Sequence, residues 1–511
     1  MSKFTDEITA GYTFSGGSIT LGAAIQGGEC QEGVLVKAPL RTFNRHGLIA
    51  GATGTGKTKT LQNISESLSL NGVPVLLMDI KGDLSGLAKA GEPNPTILDR
   101  HTKMGIPYSV KAMPVELYTI SSDKGARMRA TVSEFGPVLL SKILELNDTQ
   151  ASVVSLVFKI CDDNQWPLLD LKDFNKVLQY VSGDGKDAIS GEYGTVSPAT
   201  VGTISRKIIE LEQQGAEAFF GETSFDVNDL LRKDSEGNGF ISILRLTDIQ
   251  SKPKLFSTFM LSLLAEIYQN FPEQGDADKP KLVIFIDEAH LIFSEASKAL
   301  LNQIESIVKL IRSKGVGLFF VTQIPTDIPD AVLGQLGMKV QHALRAFTAK
   351  DRQSIKLTSQ NYPETTHYDV EELLTSIGIG EALVTVLNEK GMPTPLVHTM
   401  LHAPRSRMGI LSDTELDSLM GSSHVASKYN QEIDRHSAFE ILSGRMEEIQ
   451  QEKQAETQAK EAAKAAPKAP AARAAPKEKD WYENPMVRTV GNTLMREVTR
   501  GLLGALGFRR R

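Results

Sequence analysis

The sequence predicts an α/β protein in which short apolar strands of a parallel sheet alternate with helices, and three stretches predict it. Leu48–Ala50 runs into the glycine-rich Gly51-Ala52-Thr53-Gly54-Thr55-Gly56-Lys57-Thr58, after which Leu61, Ile64, Leu68 and Leu70 carry helical spacing. Val73–Gly86, VPVLLMDIKGDLSG, is almost wholly apolar until it ends in acidic residues and glycine, the pattern of a strand buried on both faces. Leu282–Ile286 is a five-residue apolar run ending in Asp287 and Glu288.

The glycine-rich stretch is a full match to G-x-x-x-x-G-K-[ST]. Glycines at 51, 54 and 56 let the backbone turn tightly and bring its N–H groups onto phosphates, and a helix starting near Lys57 adds its positive end. Lys57 then reaches the β- and γ-phosphates and the Thr58 hydroxyl ligates Mg²⁺. Gly51, Thr53, Gly54, Thr55, Gly56, Lys57, Thr58 and Lys59 are therefore the candidate residues for binding ATP.

The totals bound the rest. With 511 residues the chain exceeds a single core, and 41% hydrophobic with 23% charged residues is ordinary for a globular protein. A formal charge of −6 makes no global case for nucleic-acid binding. Cys30 and Cys161 stand far apart without metal-ligand spacing, which argues against a disulfide scaffold or zinc. The first residues, MSKFTDEITAGYTF, lack the apolar stretch of a signal peptide, and no run of about 18 apolar residues occurs, so a cytoplasmic protein with no membrane span is expected.

In chain order, residues 1–47 are glycine-rich with β-like runs at Ser18–Leu21 and Gly33–Lys37, suited to a hairpin that covers the nucleotide or leads into the core strand. Arg45 and His46 precede that strand, Arg45 either as a surface charge or as a contact to nucleotide or a neighbouring subunit. At the end of the Val73–Gly86 run, Asp79, Lys81 and Asp83 either face the rim that carries the loop or sit in a solvated turn. Val115–Ile120 is a further strand candidate. Between Gly136 and Arg232 the apolar spacing turns helical, which indicates a helical subdomain or lateral helices of the core. The β pattern resumes at Gly239–Leu246, followed by an apolar helix at Leu255–Tyr268.

Asp287 and Glu288 complete the site. A carboxylate at the strand end supports Mg²⁺ through water, and its neighbour polarises the attacking water. The strand candidates lying between the loop and this pair in sequence imply a sheet in which another strand separates the two, as in the additional-strand ATPases that use a glutamate. After a helix at Ser297–Ser313, Leu318–Val321 forms a strand with Thr322 and Gln323 at its tip. The Gln323 amide either bonds the γ-phosphate or the attacking water, or is a polar residue leaving a strand. Arg312 either complements the end of its helix or reaches a neighbour's γ-phosphate. Lys339–Ala346 is a further strand, with Arg345, Lys350, Asp351 and Arg352 as secondary candidates, and Glu381–Leu387 and Thr394–Leu401 close the core around a turn at Asn388–Met392.

GATGTGKT, the pair in FIDEAH and RSKGVGLFFVTQIPTDIP together resemble the HerA and FtsK group of DNA-pumping ATPases, most nearly a bacterial HerA-like branch of which VLLMDIKGDLSGL is also typical. The resemblance covers residues 40–400. It implies a RecA-like core, Mg-ATP hydrolysis at subunit interfaces and a hexameric ring with a central channel. Within it Lys57 and Thr58 bind phosphate and Mg²⁺, Asp287 supports the metal, Glu288 is the catalytic carboxylate and Gln323 the sensor. Arg312 matches the position of the trans-acting arginine and Arg45 a second arginine that precedes the loop. There are departures: about 45 residues before the loop strand, fewer than the N-terminal β-barrel of archaeal HerA proteins needs, no C-terminal winged-helix module, and a long helical insertion.

The expected organisation is a short β segment at 1–45, the first part of the RecA-like core at 46–135, a helical insertion at 136–235, the second part at 236–405 and a helical extension at 406–450. An Ala/Lys/Pro linker at 451–480 and a basic amphipathic helix at 481–511 follow. Residues 451–511 hold 13 Lys/Arg against 7 Asp/Glu, so the remainder is strongly acidic. That last helix is suited to a protein partner, to the ring itself, or to nucleic acid or an anionic membrane, the alternative being a loosely ordered tail. The function expected is a Mg²⁺-dependent ATP hydrolase, a homo-hexameric motor on double-stranded DNA. The alternative is a nucleotide-switched regulatory or scaffold ATPase that acts on a protein partner without DNA.

Overall fold

Among the residues described by the computed structural model (3–248, 252–275, 277–294, 298–431, 433 and 435–465), one twelve-stranded sheet organises the chain. Its strands are β1 (Ser18–Gln26), β2 (Glu29–Pro39), β3 (Gly47–Ala50), β4 (Val75–Asp79), β5 (Val115–Thr119) and β6 (Ala126–Arg127). They continue with β7 (Ile241–Arg245), β8 (Leu282–Ile286), β9 (Val316–Thr322), β10 (Met338–Gln341), β11 (Glu381–Thr385) and β12 (Val397–Leu401). The order across the sheet is β2-β1-β12-β11-β10-β3-β9-β8-β4-β7-β5-β6. From β10 to β6 all neighbours are parallel, and from β10 to β2 all are antiparallel.

The central strands are apolar because both their faces are covered. Every residue of β3, β4, β5, β8 and β9 is buried. Alternate residues divide between two cores, as the period of two requires. Leu76 and Met78 of β4 pack with the helices inserted between β6 and β7, whereas Val75 and Leu77 pack on the side of the helix Lys57–Leu70.

A strand does separate β3 from β8, but it is not one of those lying between them in sequence. The intervening strand is β9, which follows β8 in the chain, while β4, β7 and β5 continue beyond β8. The amino-terminal segment holds a helix, Lys3–Gly11, besides its hairpin, and Phe4, Ile8 and Tyr12 pack that face into the core. The hairpin β1–β2 joins the main sheet through β12, with Gly22 opposite Leu401. It therefore extends the sheet edge rather than leading directly into β3.

Helices Val132–Ile143, Asp148–Asn164, Leu171–Ser182, Lys186–Tyr193 and Pro198–Gln213 lie between β6 and β7. Three of them start on reciprocal capping boxes, built on Thr131, Asn147 and Asp170. After β12 come helices Asp413–Gly421, His424–Tyr429 and Ala438–Ala465. The chain divides into two compact units, Met1–Ile449 and Gln450–Arg511. The second half of the expected linker, 466–480, and the whole basic helix at 481–511 lie outside the described residues. Among the described residues no helix is long and apolar enough to cross a membrane.

Candidate functional site

The carboxyl ends of the parallel strands share one edge of the sheet, and the glycine-rich loop leaves β3 there. Its start is pinned to both neighbouring strands, Gly51 N–H to the Thr322 carbonyl at 3.2 Å and Ala52 N–H to the Ala343 carbonyl at 2.8 Å. Gly56 holds φ +114° and opens the helix Lys57–Leu70. The first three N–H groups of that helix, from Lys57, Thr58 and Lys59, have no carbonyl one turn back to accept them. A Cβ at Gly51 would stand 2.5 Å from the His342 Cβ, so the side chain after β10 fixes the loop from beneath. His342 bonds Thr60 Oγ1 through Nε2 at 2.9 Å, and burial, with Lys57 nearby, lowers its pKa to about 4.

Lys57 lies back on its own loop, its ammonium donating to the carbonyls of Gly51 at 2.6 Å and Ala52 at 3.1 Å. Burial and the charge of Lys81 push its pKa down, while Glu288 and Asp287 oppose the shift. Thr58 Oγ1 reaches Asp83 Oδ2 at 3.4 Å. Lys59 is different, since its ammonium donates to the Met408 carbonyl on the segment that follows β12. That segment runs beside the loop helix. Gln62 donates to the Arg407 carbonyl at 2.9 Å, and Glu66 accepts from Arg405 N–H at 2.7 Å and Ser406 N–H at 3.0 Å.

Two strands away, β8 delivers Asp287 and Glu288 to the same edge, both buried. Ala289 N–H bonds the Val321 carbonyl of β9 at 2.9 Å, and Glu288 takes a left-handed φ of +45° that turns the chain at the strand end. Burial raises the Asp287 carboxyl to about 6; Lys81 opposes this and Glu288 adds to it. Glu288 Oε1 pairs with the Lys81 ammonium. Its Oε2 is buried without a hydrogen-bond donor, although His290 Nδ1 comes within 3.3 Å without the alignment of a bond. For Lys81 burial alone would lower the pKa, yet contact with Glu288 and the charges of Asp287 and Asp83 leave it raised.

The site therefore suits a polyphosphate with a divalent metal. Free N–H groups at the helix start, a lysine resting on carbonyls that it can leave, and buried unpaired oxygens on Glu288 and Asp83 are the donors and acceptors such a group requires. Thr58 and Asp83 bring oxygens together beside the loop, and Asp287 adds another from the end of β8. Gln323 is exposed at the tip of β9 and shares a cavity of about 400 Å³ with Ala52 and Thr53. Arg345 and Asp351 line that cavity too, and Asp351 spends its carboxylate on Phe347 N–H at 3.0 Å and Thr348 N–H at 2.8 Å.

Arg45 and Arg312 are not in this group. Arg45 precedes β3 and Arg312 precedes β9, so both sit at the amino-terminal edge of the sheet, across the strands from the loop. With Lys309 and Lys339 they line a cleft of about 550 Å³. The Arg45 guanidinium packs against the turn at Gly391, where an added Cβ would stand 2.6 Å from its Nη1. His46 braces the cleft. Its Nε2–H donates to the Val308 carbonyl at 2.8 Å and its Nδ1 accepts from Leu318 N–H at 3.0 Å, a tautomer set by those two partners. Burial holds its pKa down at about 4.

Sequence reasoning brought Lys57, Thr58, Asp287, Glu288 and Gln323 to one edge. It did not identify His342 or the bracing role of His46, and it left Lys81 and Asp83 open between rim and solvated turn. A lone histidine carries no pattern. For Lys81 and Asp83 the signal was present, because they follow an apolar strand whose end must reach the same rim.

The family described as Helicase HerA-like C-terminal matches residues 26–511. The DNA double-strand break repair helicase HerA of Sulfolobus acidocaldarius is 22% identical over 382 residues, 75% of this chain and 69% of its own. That of Sulfurisphaera tokodaii is 24% identical over 375 residues, 73% of this chain and 67% of its own. Among solved structures, the bacterial conjugative coupling protein TrwBdeltaN70 in an unbound form superposes with a TM-score of 0.51 over 80% of this chain and 95% of its own. At 14% identity that likeness is one of fold.

Proposed function

The chain belongs to the HerA-like C-terminal family of P-loop ATPases, and from that premise we propose a Mg²⁺-dependent ATP hydrolase that works as a homo-hexameric ring and moves along double-stranded DNA. The observation that carries this reading is the division of the site. Lys57, Thr58, Asp287, Glu288 and Gln323 gather at one edge of the sheet, whereas Arg312 and Arg45 stand at the other. A subunit so built offers a neighbour what its own loop lacks.

Each group has a task under this reading. The loop N–H groups and Lys57 bind the β- and γ-phosphates, and Lys57 leaves the Gly51 and Ala52 carbonyls to do so. The Thr58 hydroxyl, with Asp287 in support, would hold Mg²⁺, which would supply neutralisation of phosphate charge. Glu288 orients the attacking water in line with the γ-phosphate. Gln323, exposed beside Ala52 and Thr53, bonds the γ-phosphate or that water and passes the change to the cavity wall beyond it. Arg312 from the next subunit stabilises the charge that spreads in the transition state, with Arg45 beside it. Double-stranded DNA as the polymer rests on the curated relatives, which are DNA repair helicases by name.

The test is the steady-state ATPase rate with no polymer, with linear duplex DNA and with single-stranded DNA, beside Glu288→Gln and a light-scattering mass on the same sample. Duplex stimulation of several-fold, a dead Glu288→Gln and a ring mass are the expected results. Turnover indifferent to every nucleic acid would overturn the DNA part and favour a nucleotide-switched scaffold acting on protein.

A further inference from the structure

The turn that ends β4 touches both halves of the site. Asp79 builds it, its carboxylate accepting from Gly82 N–H at 2.8 Å, Asp83 N–H at 3.2 Å and Leu84 N–H at 3.1 Å. One arm of the turn, Asp83, accepts from the Thr58 hydroxyl. The other arm, Lys81, pairs its ammonium with Glu288 Oε1. The carboxylate expected to orient water thus has one oxygen committed to a cation from a different strand, while the other is buried without a donor.

We propose that Lys81 is a positioning residue that holds Glu288 off the attacking water and releases it when a γ-phosphate competes for the ammonium. The inference rests on the ATPase reading above. A carboxylate orients water by accepting its hydrogens, and an ammonium at Oε1 takes one of its two oxygens and fixes the direction in which the carboxylate lies. The lysine is able to move, since its side chain is 38% exposed and, among the described residues, its flexible four-carbon stem makes no hydrogen bond besides the one to Glu288. Phosphate oxygens arriving at the loop present a second, more highly charged anion. Locked and released arrangements then exchange, and turnover follows the released fraction. A partly exposed ion pair biases such an equilibrium by about two- to fivefold.

Two measurements test this on the full chain. Lys81→Met should raise polymer-free turnover about two- to fivefold at saturating ATP, while Lys81→Arg, which keeps the pair, stays near wild type. Wild-type turnover should also rise with salt as the pair is screened, and that of Lys81→Met should not. The second measurement needs no nucleotide. Trace acetylation of the Lys81 amine, read by peptide mass spectrometry, should run about two- to fivefold faster in Glu288→Gln than in wild type, because the ion pair protects the amine.

A Lys81→Met protein that binds nucleotide but turns over more slowly than wild type would overturn the proposal, since Lys81 would then assist the chemistry rather than restrain Glu288. Equal acetylation in wild type and Glu288→Gln would overturn it as well. If wild type shows no turnover that depends on Glu288, the ATPase reading fails by itself, and the acetylation rates still decide whether the pair exists.

Discussion

Placing Arg312 and Lys57 at opposite edges of one sheet makes a prediction about mixtures of two inactive proteins. From Arg45 to Gly51 the chain runs along β3, six residues or roughly 20 Å at strand rise, and Arg312 enters β9 at the same end as Arg45. No arginine side chain spans the sheet and then reaches past the loop to a γ-phosphate, so a transition-state arginine drawn from this cleft must come from another copy. Lys57→Ala removes the phosphate ligand, Arg312→Ala removes the donated cation, and each alone should lose about a thousandfold in kcat. In rings assembled at random from equal amounts, a working site needs its loop from an Arg312→Ala subunit and its arginine from a Lys57→Ala neighbour. Each condition is met half the time, so about a quarter of the sites recover. The assay is ATP turnover of the co-refolded or subunit-exchanged mixture, with native mass spectrometry to confirm mixed rings. A mixture that forms mixed rings yet stays at the floor of the two variants refutes the reasoning, because it would place both groups in one subunit's site.

Two further outcomes follow from buried titratable groups. With the Asp287 carboxyl at about 6, its ionised fraction is about nine-tenths at pH 7 and about one-tenth at pH 5, and a metal needs the ionised form. Mg²⁺ affinity in the nucleotide complex should therefore fall about tenfold between those pH values, with proton uptake by Asp287 as the metal leaves. Titration calorimetry in buffers of different ionisation heat checks this, with Asp287→Asn subtracting the nucleotide's own titration; equal slopes in both proteins would rule Asp287 out. His46→Leu leaves the Val308 carbonyl and Leu318 N–H unpaired, together about 2–6 kcal/mol, or a fall of about 2–6 °C in Tm for a unit of this size. The neutral imidazole, with a folded pKa of about 4 against 6.5, contributes stability that is fully present above 6.5 and lost as pH falls toward 4, so wild type should lose more Tm than His46→Leu between pH 7 and pH 5 in a thermal scan.

The parts of the site that were legible are those in which chemistry and local structure share one short stretch. Gly51–Thr58 must turn tightly between a strand and a helix, and Leu282–Ile286 must be buried before it can end in two acids, so contiguous residues carry the whole argument. Contacts across hundreds of residues leave no such trace. His46 is read correctly as a neighbour of β3, but its partners lie 262 and 272 positions away, and nothing near it announces a brace. The position of β9 between β3 and β8 is equally silent, because strand order follows crossover geometry rather than chain order. The helix Lys3–Gly11 was legible and overlooked. Phe4, Ile8 and Tyr12 stand four apart on one face.

The direction of the parallel strands is what ties the remaining observations together. Every strand from β10 to β6 points the same way, so phosphate, metal and water chemistry collects where the strands end, and residues that precede strands collect at the opposite edge. Such a subunit has a receiving edge and a donating edge that differ from one another. Contact between unlike surfaces is heterologous, and heterologous contacts repeat until they close into a ring or run on as a filament. Under the proposed ring His46 has a reason to be buried and neutral, since it fixes this edge by binding the helix before Arg312 and the strand after it, and a charged imidazole beside Arg312 would repel the cation proposed to reach the next site. Lys81 acts at the receiving edge, where it keeps Glu288 engaged when no phosphate is present. A site completed only by a neighbour gains from such a hold, because the carboxylate is kept from water until the triphosphate is in place.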